Sequence, residues 1–173
     1  MSEQIPFGLI MRPARLPSVL IWLLIAIAAP VLSAGTTFGQ SRAVAIVVHP
    51  DVAIDDLPFT QLRRVFLGEQ QFWADGRKIT LLIRAPEAYE RDMVLQRIYE
   101  MNEGQFQQYW IAKIFRSEVS GGPKIVYSTS MAGELVKALP GSVTFMRASD
   151  VGDYGKVLKI DGLSPGDSGY QLQ

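Results

Sequence analysis

The stretch that decides the fold is residues 62–84, LRRVFLGEQQFWADGRKITLLIR. Apolar residues recur at helical spacing at its start, and Gly68 is placed to end the helix that they predict. Asp75-Gly76 is typical of a tight turn. The apolar run 78–83 then predicts a strand, which delivers Arg84 to its carboxyl end. A helix, a turn and a strand in such quick succession indicate an α/β layer.

The same alternation continues on both sides of this stretch. The β-branched run 43–49 predicts a buried strand, and further strands are predicted at 124–127, 142–146 and 156–160. Helices are predicted from 86 to 101, from 102 to 115 and from 128 to 140. The sequence therefore predicts one α/β lobe over residues 43–162, with a mixed sheet flanked by helices in a three-layer-like arrangement.

Several side chains can be assigned to caps or to the core. Pro86 suits the first turn of its helix, and Asn102 with Gln105 resembles a capping box. Apolar spacing predicts that the helix after Asn102 buries three side chains, Phe106, Trp110 and Ile114. Phe72 and Trp73, in the loop before the strand, are expected to cover the core.

Both ends of the chain have sequence patterns that differ from the strand–helix alternation of the lobe. Arg12 and Arg15 precede an apolar run of fourteen residues, 19–32, and small residues follow it. This pattern predicts a secretory signal peptide over residues 1–34 and export to the periplasm. The alternative is an uncleaved N-terminal anchor, although the run is shorter than the roughly 20 residues that span a bilayer. The polar, Gly- and Pro-bearing segment 163–173 is expected to be a disordered tail.

Composition excludes several classes of function. The chain has 17 basic and 17 acidic residues, so its balance gives no electrostatic case for nucleic acid. It contains no cysteine and one histidine, His49, and it shows none of the common hydrolase or zinc-protease motifs. We therefore expect no enzyme activity, no metal and no cofactor. Without disulfides, the exported lobe must be held together by its core alone.

Several segments, taken in order, resemble one known family. The run LRRVFLGEQQFWADGRKI, residues 62–79, resembles a segment of the phosphate-type substrate-binding proteins of ABC transporters. Arg84 stands where that family begins its R-x-x-x-S-G-T anion-binding turn. ALPGSVTFM at 138–146 and VGDYGKVLKIDG at 151–162 resemble two later segments. The likeness covers nearly all of residues 43–162 and is strongest to short, single-unit members.

This resemblance implies a lobe of the type II periplasmic binding protein fold and a ligand such as phosphate. It also implies an ABC permease or a membrane sensor as a partner, and two single lobes could face each other in a homodimer. The chain departs from the family at the S-G-T positions, which hold Ala88, Tyr89 and Glu90. At this length the family's second lobe is also largely missing.

The candidate ligand-binding residues are Arg84 and the hydroxyl cluster Ser128, Thr129 and Ser130. Arg84 can hold an oxyanion with its fork of donors; the competing interpretation pairs it with Glu87 or Glu90. The hydroxyl cluster can cradle an anion at the start of a helix; the competing interpretation is ordinary N-capping. Gly121-Gly122 could form an anion-binding nest, although a flexible connector is the simpler interpretation.

Two functions remain open from the sequence. The first is an exported domain that binds phosphate or another small oxyanion without catalysis. The second is a protein-interaction or sensory accessory module that keeps the scaffold and has lost the ligand. The altered positions 88–90 favour the second, and Arg84 favours the first.

Overall fold

The computed structural model describes residues 42–173, so the predicted signal peptide lies outside the described residues. The helices are α1 (Phe59–Phe66), α2 (Tyr89–Val94), α3 (Glu103–Phe115) and α4 (Thr129–Ala138). The strands are β1 (Val44–Val48), β2 (Asp56–Leu57), β3 (Thr80–Arg84), β4 (Lys124–Val126), β5 (Ser142–Arg147), β6 (Lys156–Val157) and β7 (Lys159–Ile160). A π-helical turn, Leu95–Tyr99, continues α2. None of the helices in this part of the chain has the length and apolar character needed to cross a bilayer.

Five strands form the central sheet in the order β4-β3-β5-β1-β6. Strand β3 runs parallel to both of its neighbours, with Leu82 opposite Lys124 and Thr80 opposite Ser142. Strand β1 is antiparallel to β5 and to β6. The sheet is therefore mixed, as predicted. Strands β2 and β7 make a separate short parallel pair.

Each face of the sheet carries its own apolar core, so the lobe has three layers. Alternate residues of the central strands pack with α1, α2 and α3 on one face, and Ile46, Ile83 and Phe145 belong to this larger core. The intervening residues pack with α4 on the other face, where the smaller core includes Val47 and Leu82. The period-2 alternation of strand side chains assigns each residue to its layer.

The predicted helix, turn and strand of residues 62–84 are all present. Helix α1 ends before Gly68, whose φ of +67° is the left-handed conformation that favours glycine. A side chain there would also press on the Trp110 ring. Trp73 is buried, and its indole N–H donates to the carbonyl of Gly141 at 2.9 Å. This bond joins the corner before β3 to the residue before β5.

The second predicted helix begins later than expected. The pattern placed Pro86 in its first turn, but Pro86 and Glu87 lie in a turn of their own, and α2 begins at Tyr89. Glu87 has a φ of +74°, which no α-helix contains. The prediction was wrong because proline fits a tight turn as well as it fits a helix start.

Helix α3 begins where the sequence predicts. The Asn102 side chain accepts from the Gln105 N–H, and the Gln105 side chain accepts from the Asn102 N–H, which completes the capping box. Its burial differs from the prediction, because Lys113 is buried and Ile114 is 45% exposed. Phe72 was also expected in the core and is exposed instead. In both places one of two adjacent residues had to face outward, and local spacing did not decide which.

The C-terminal segment also differs from its predicted disorder. Leu172 and Tyr170 are buried in the larger core. The Val44 N–H donates to the Leu172 carbonyl at 2.7 Å, and the Tyr170 hydroxyl donates to the Val44 carbonyl at 2.9 Å. Burial raises the pKa of that hydroxyl above its ordinary value. Earlier, the single strand predicted at 156–160 is split into β6 and β7.

Candidate functional site

The carboxyl ends of β4 and β3 lie side by side at one edge of the sheet. The two strands are parallel, and Arg84, the last residue of β3, is the register partner of Val126, the last residue of β4. Helix α4 begins three residues after Val126. Ligands of open α/β sheets bind in the crevice outside the carboxyl ends of the strands. This edge is therefore the candidate functional site.

Arg84 lies on the α4 face of this edge. It is two residues from Leu82, which packs in the core beneath α4, and side chains two apart on a strand share a face. Its Nε and Nη1 atoms are buried and have no hydrogen-bond acceptor among residues 42–173. Buried donors without acceptors are costly, more so when they carry charge. An anion at this place would supply the acceptors that Arg84 lacks.

The competing interpretation, which paired Arg84 with a neighbouring carboxylate, is not what the structure shows. Within the described part of the chain, Arg84 has no ion pair with Glu87 or with Glu90. Glu90 faces Arg147 instead, with its Oε1 3.6 Å from the Arg147 Nε. The Arg84 guanidinium is thus left without a countercharge from its own lobe.

The three hydroxyl residues lie at the start of α4. Ser128 is the N-cap, and its Oγ accepts from the Met131 N–H at 3.0 Å. The Ser130 Oγ lies 3.0 Å from the same oxygen. N-capping therefore accounts for Ser128. The N–H groups of Thr129 and Ser130 belong to the first turn, where helix geometry provides no carbonyl to accept them. The start of α4 is the positive end of its dipole.

Arg91, for which the sequence pattern predicts no role, holds the end of β3 in place. Its side chain is only 2% exposed. Nε and Nη2 each donate to one carboxylate oxygen of Glu103 at 2.8 Å, and Nη1 donates to the backbone carbonyl of Arg84 at 2.5 Å. The guanidinium also lies over the Phe106 ring, 4.8 Å from its centre. Arg91 therefore connects the last residue of β3 to the start of α3.

The charge-assisted bonds from Arg91 lower the pKa of Glu103 below its ordinary value, against an opposing effect of burial. Glu103 therefore remains a carboxylate when Arg91 is at its side. The pair is internally neutral and does not leave a free charge for a ligand. Its contribution to the site is to position Arg84, not to bind.

Arg147 is a second arginine at this edge that sequence reasoning missed. It ends β5, the other parallel neighbour of β3, and it lies on the α2 face with Phe145. Its guanidinium is 5.6 Å from the Tyr89 ring, and Glu90 beside it is only 5% exposed. The signal was present: β5, like β3, is an apolar strand that ends on an arginine. Because Glu90 offsets its charge, Arg147 adds less to the site than Arg84.

The other sequence candidates lie away from this edge. Gly121 and Gly122 line an open cavity of about 240 Å³ beside Trp110, near the amino ends of β3 and β4. His49 accepts the Asp51 N–H at 3.1 Å, which is a structural role in a turn. In residues 42–173 no three His, Cys, Asp or Glu side chains come together as a metal site would need. The structure therefore does not bring Gly121-Gly122 together with Arg84.

Comparison with known proteins identifies the fold. No protein-family model matches the chain, and no curated protein is similar to it in sequence. Solved structures do match. An ABC-type phosphate transport receptor from Vibrio cholerae is 21% identical with a TM-score of 0.58, over 71% of this chain and 48% of that chain. PstS from Borrelia burgdorferi is 14% identical with a TM-score of 0.58, over 75% of this chain and 53% of that chain.

A third match is a putative phosphate ABC transporter substrate-binding protein with bound phosphate from Clostridium perfringens. It is 17% identical with a TM-score of 0.57, over 71% of this chain and 46% of that chain. The chain thus spans about half the length of these proteins. The predicted fold resemblance is confirmed: this lobe has the α/β fold of phosphate-type substrate-binding proteins.

Proposed function

We propose that this chain is an exported, solute-binding-protein-like domain that holds phosphate or another small oxyanion without chemical turnover. The observation that carries the proposal is the pair of buried, unpartnered nitrogens of Arg84 at the carboxyl edge of the sheet. The shared fold supports it, since substrate-binding proteins capture a ligand and do not transform it. Residues 84 and 128–130 are the proposed ligand-binding set.

The site binds an anion through donors of three kinds. The planar guanidinium of Arg84 offers parallel N–H groups, which match two oxygens of one oxyanion. The backbone N–H groups of Thr129 and Ser130 approach from the start of α4, where the helix dipole favours negative charge. The Ser128 and Ser130 hydroxyls complete the set. Local donors of this kind suit a chain whose net charge is zero, because no general positive field attracts the ligand.

The setting proposed for this activity is the periplasm, with an ABC permease or a membrane sensor as the partner. The N-terminal pattern supports export, and the phosphate receptors of the same fold are transport proteins by name. This chain spans about half their length, and the proposed site is built from the one lobe that the structure describes.

The proposal is tested by titrating the folded protein with inorganic phosphate, sulfate and chloride in a calorimeter. We expect saturable heat with phosphate or with another tetrahedral oxyanion, and none with chloride. Arg84→Met should abolish the heat, because it removes the fork and retains most of the side chain's volume. Arg64→Met is the matched control: Arg64 lies exposed on α1, and its loss changes the net charge by the same amount.

Two results would contradict the proposal. One is the absence of heat with every oxyanion in a well-folded sample. The other is an equal loss of binding in Arg64→Met and Arg84→Met, which would reduce the effect to net charge. Arg84→Lys sharpens the test, since it keeps the charge and removes the bidentate geometry; its affinity should fall between those of the parent and Arg84→Met.

The second candidate function is a protein-interaction or sensory accessory module on the same scaffold. The observation that favours it is the buried carboxylate of Glu90, which pairs with Arg147 and so offsets a positive charge that could otherwise attract an anion to this edge. This function predicts no response to any oxyanion together with a stable protein partner that co-purifies from the periplasm. A saturable phosphate response lost in Arg84→Met would exclude it as the sole function.

A further inference from the structure

The outer face of α3 is apolar and carries no exposed charge in its second half. Helix α3 buries Phe106 and Trp110 against the core, yet on the opposite side Ile111 is 66% exposed, Ile114 45% and Phe115 90%. These three lie at i, i+3 and i+4, the spacing of a second apolar stripe. A helix that is apolar on both sides is typical of one that is covered on both sides.

The charges that a surface helix would normally expose are absent here. The basic residue of this half of α3, Lys113, is buried and lies 3.5 Å from a carboxylate oxygen of Glu118. The exposed residues between Glu103 and Arg116 are one glycine, three glutamines and the three apolar residues. Charge depletion with exposed aromatic and aliphatic groups is typical of the centre of a protein interface.

The apolar stripe continues onto β4, the edge strand of the sheet. The Ile114 Cδ1 lies 3.6 Å from the position that a Cβ of Gly122 would take, two residues before β4. Ile125 pairs with Ile83, whose side chain lies on the α3 side of the sheet, and Tyr127 follows two residues later on the same face. Ile125 is 37% exposed and Tyr127 is 75% exposed.

The α3–β4 surface is the set of residues Ile111, Ile114, Phe115, Ile125 and Tyr127. With roughly 150–250 Å² for each aromatic residue and slightly less for isoleucine, their exposed fractions amount to roughly 600 Å². The largest apolar patch on an ordinary monomer has an area of about 300–600 Å², so this surface lies at the upper end of that range. It would also supply most of the roughly 800 Å² that each partner buries in a stable interface.

We infer that the α3–β4 surface is where a second copy of this chain docks, in a two-fold symmetric contact. A symmetric contact brings a patch against itself, so it requires a patch without like charges that would face each other. The α3–β4 surface meets that requirement, and the chain's net charge of zero adds no overall repulsion. The outer edge of β4, which pairs with no strand among residues 42–173, lies in the same contact, where strand pairing between copies can add backbone hydrogen bonds.

This contact would also bring two anion sites near each other. Tyr127 belongs to the α3–β4 surface and directly precedes Ser128, the N-cap of α4. The edge of each site therefore borders the docking surface. In this arrangement the second copy covers part of what one lobe leaves open.

The test uses the full chain, with its N-terminal segment, and measures molar mass by sedimentation over a range of concentrations. We expect a reversible dimer. Phe115→Lys should weaken self-association by about tenfold or more, because it removes the most exposed aromatic of this surface and buries a charge in an apolar contact. Phe72→Lys is the matched control, since Phe72 is a similarly exposed phenylalanine (55%) outside this surface.

Cysteine cross-linking provides a second, independent measurement. The chain has no cysteine of its own, so Phe115→Cys introduces the only thiol. With Phe115 nearest the two-fold axis of the inferred contact, the two thiols approach each other, and mild oxidation should yield a disulfide-linked dimer in Phe115→Cys but not in Phe72→Cys. Because both side chains are exposed, circular dichroism should show parent-like folding for each variant.

Three outcomes would overturn the inference. The first is a monomer at every attainable concentration. The second is a dimer that Phe115→Lys and Phe72→Lys affect equally, which would place the contact elsewhere, for example in the N-terminal segment. The third is a monomer whose α3–β4 surface is covered by a different protein. Loss of phosphate binding alone would not contradict the inferred dimer, because the monomer–dimer equilibrium is measured without any anion.

Discussion

Two arginines seven residues apart, Arg84 at the end of β3 and Arg91 in α2, have opposite surroundings. Arg91 is nearly fully buried, and each of its three guanidinium nitrogens donates a hydrogen bond, two to the oxygens of Glu103 and one to the Arg84 carbonyl. Arg84 is partly buried, and two of its nitrogens have no acceptor within residues 42–173. The lobe thus neutralises one guanidinium completely and leaves the other with free donors.

The difference separates a structural role from a binding role. A buried cation that finds its countercharge within the protein stabilises the fold only if both partners are kept. A cation that lacks one costs free energy until something else supplies it. We therefore expect that changes around Arg91 alter stability in every solution, whereas changes of Arg84 alter stability only when an anion is present.

The largest effect is expected from Glu103→Met. This change leaves the Arg91 guanidinium buried without a countercharge, and the free energy of unfolding should fall by about 3–5 kcal/mol. Chemical denaturation measures it. Glu134→Met is the control, because Glu134 is an exposed glutamate on α4; it should change the free energy of unfolding by about 0.5 kcal/mol or less. Equal losses in both variants would contradict a structural role for the Arg91–Glu103 pair.

The contrast between these arginines also shows what the sequence can and cannot predict. Arg84 was identifiable because it ends an apolar strand, and that depends only on neighbours in sequence. The bond from Arg91 to Glu103 depends on the chain reversal between α2 and α3, where Glu100 has a left-handed φ of +56°. The left-handed conformation is uncommon for glutamate, and the residue type does not predict it. The spacing of Arg91 and Glu103 along the chain therefore could not predict that they pair.

The strands and the caps were predictable for the same reason, and the C-terminal segment was not. Strand β1 is a continuous apolar run, β5 has apolar residues at three of its six positions, and the Asn102–Gln105 capping box is a local pattern. The tail has only two buried apolar side chains, Tyr170 and Leu172, among polar and flexible residues. Their partner is the Val44 backbone, over 120 residues away. The composition of a segment indicates how flexible it is by itself. It does not show that the end of a distant strand can bind the segment and order it.

A smaller effect is expected from pH. The pKa of Glu103 is lowered by the hydrogen bonds from Arg91, relative to an ordinary value near 4.5. Its contribution to stability is therefore present above that value and is lost as the pH falls through the lowered pKa. The stability difference between the parent and Glu103→Gln should shrink as the pH falls below about 4.5. Denaturation curves at several pH values measure this difference.

Because only the parent and Glu103→Gln are compared, the effects of other carboxylates cancel in the stability difference. Asp55, Glu100 and Glu118 also have lowered pKa values from neighbouring cations, and they titrate in both proteins. A stability difference that stays constant down to acid pH would show that Glu103 does not act as a carboxylate partner of Arg91.

The smallest effect on the anion-free protein is expected from Arg84→Met, and it is the change that decides the comparison. Removing a guanidinium whose buried donors have no acceptors costs no internal hydrogen bond, so stability should change by about 0.5 kcal/mol or less, or rise. With phosphate, the parent should gain stability as the site fills, by mass action on the folded state. Arg84→Met should gain none, while Arg64→Met should gain as much as the parent. A large loss of stability in anion-free Arg84→Met would mean that Arg84 is as structural as Arg91, and the distinction between the two arginines would fail.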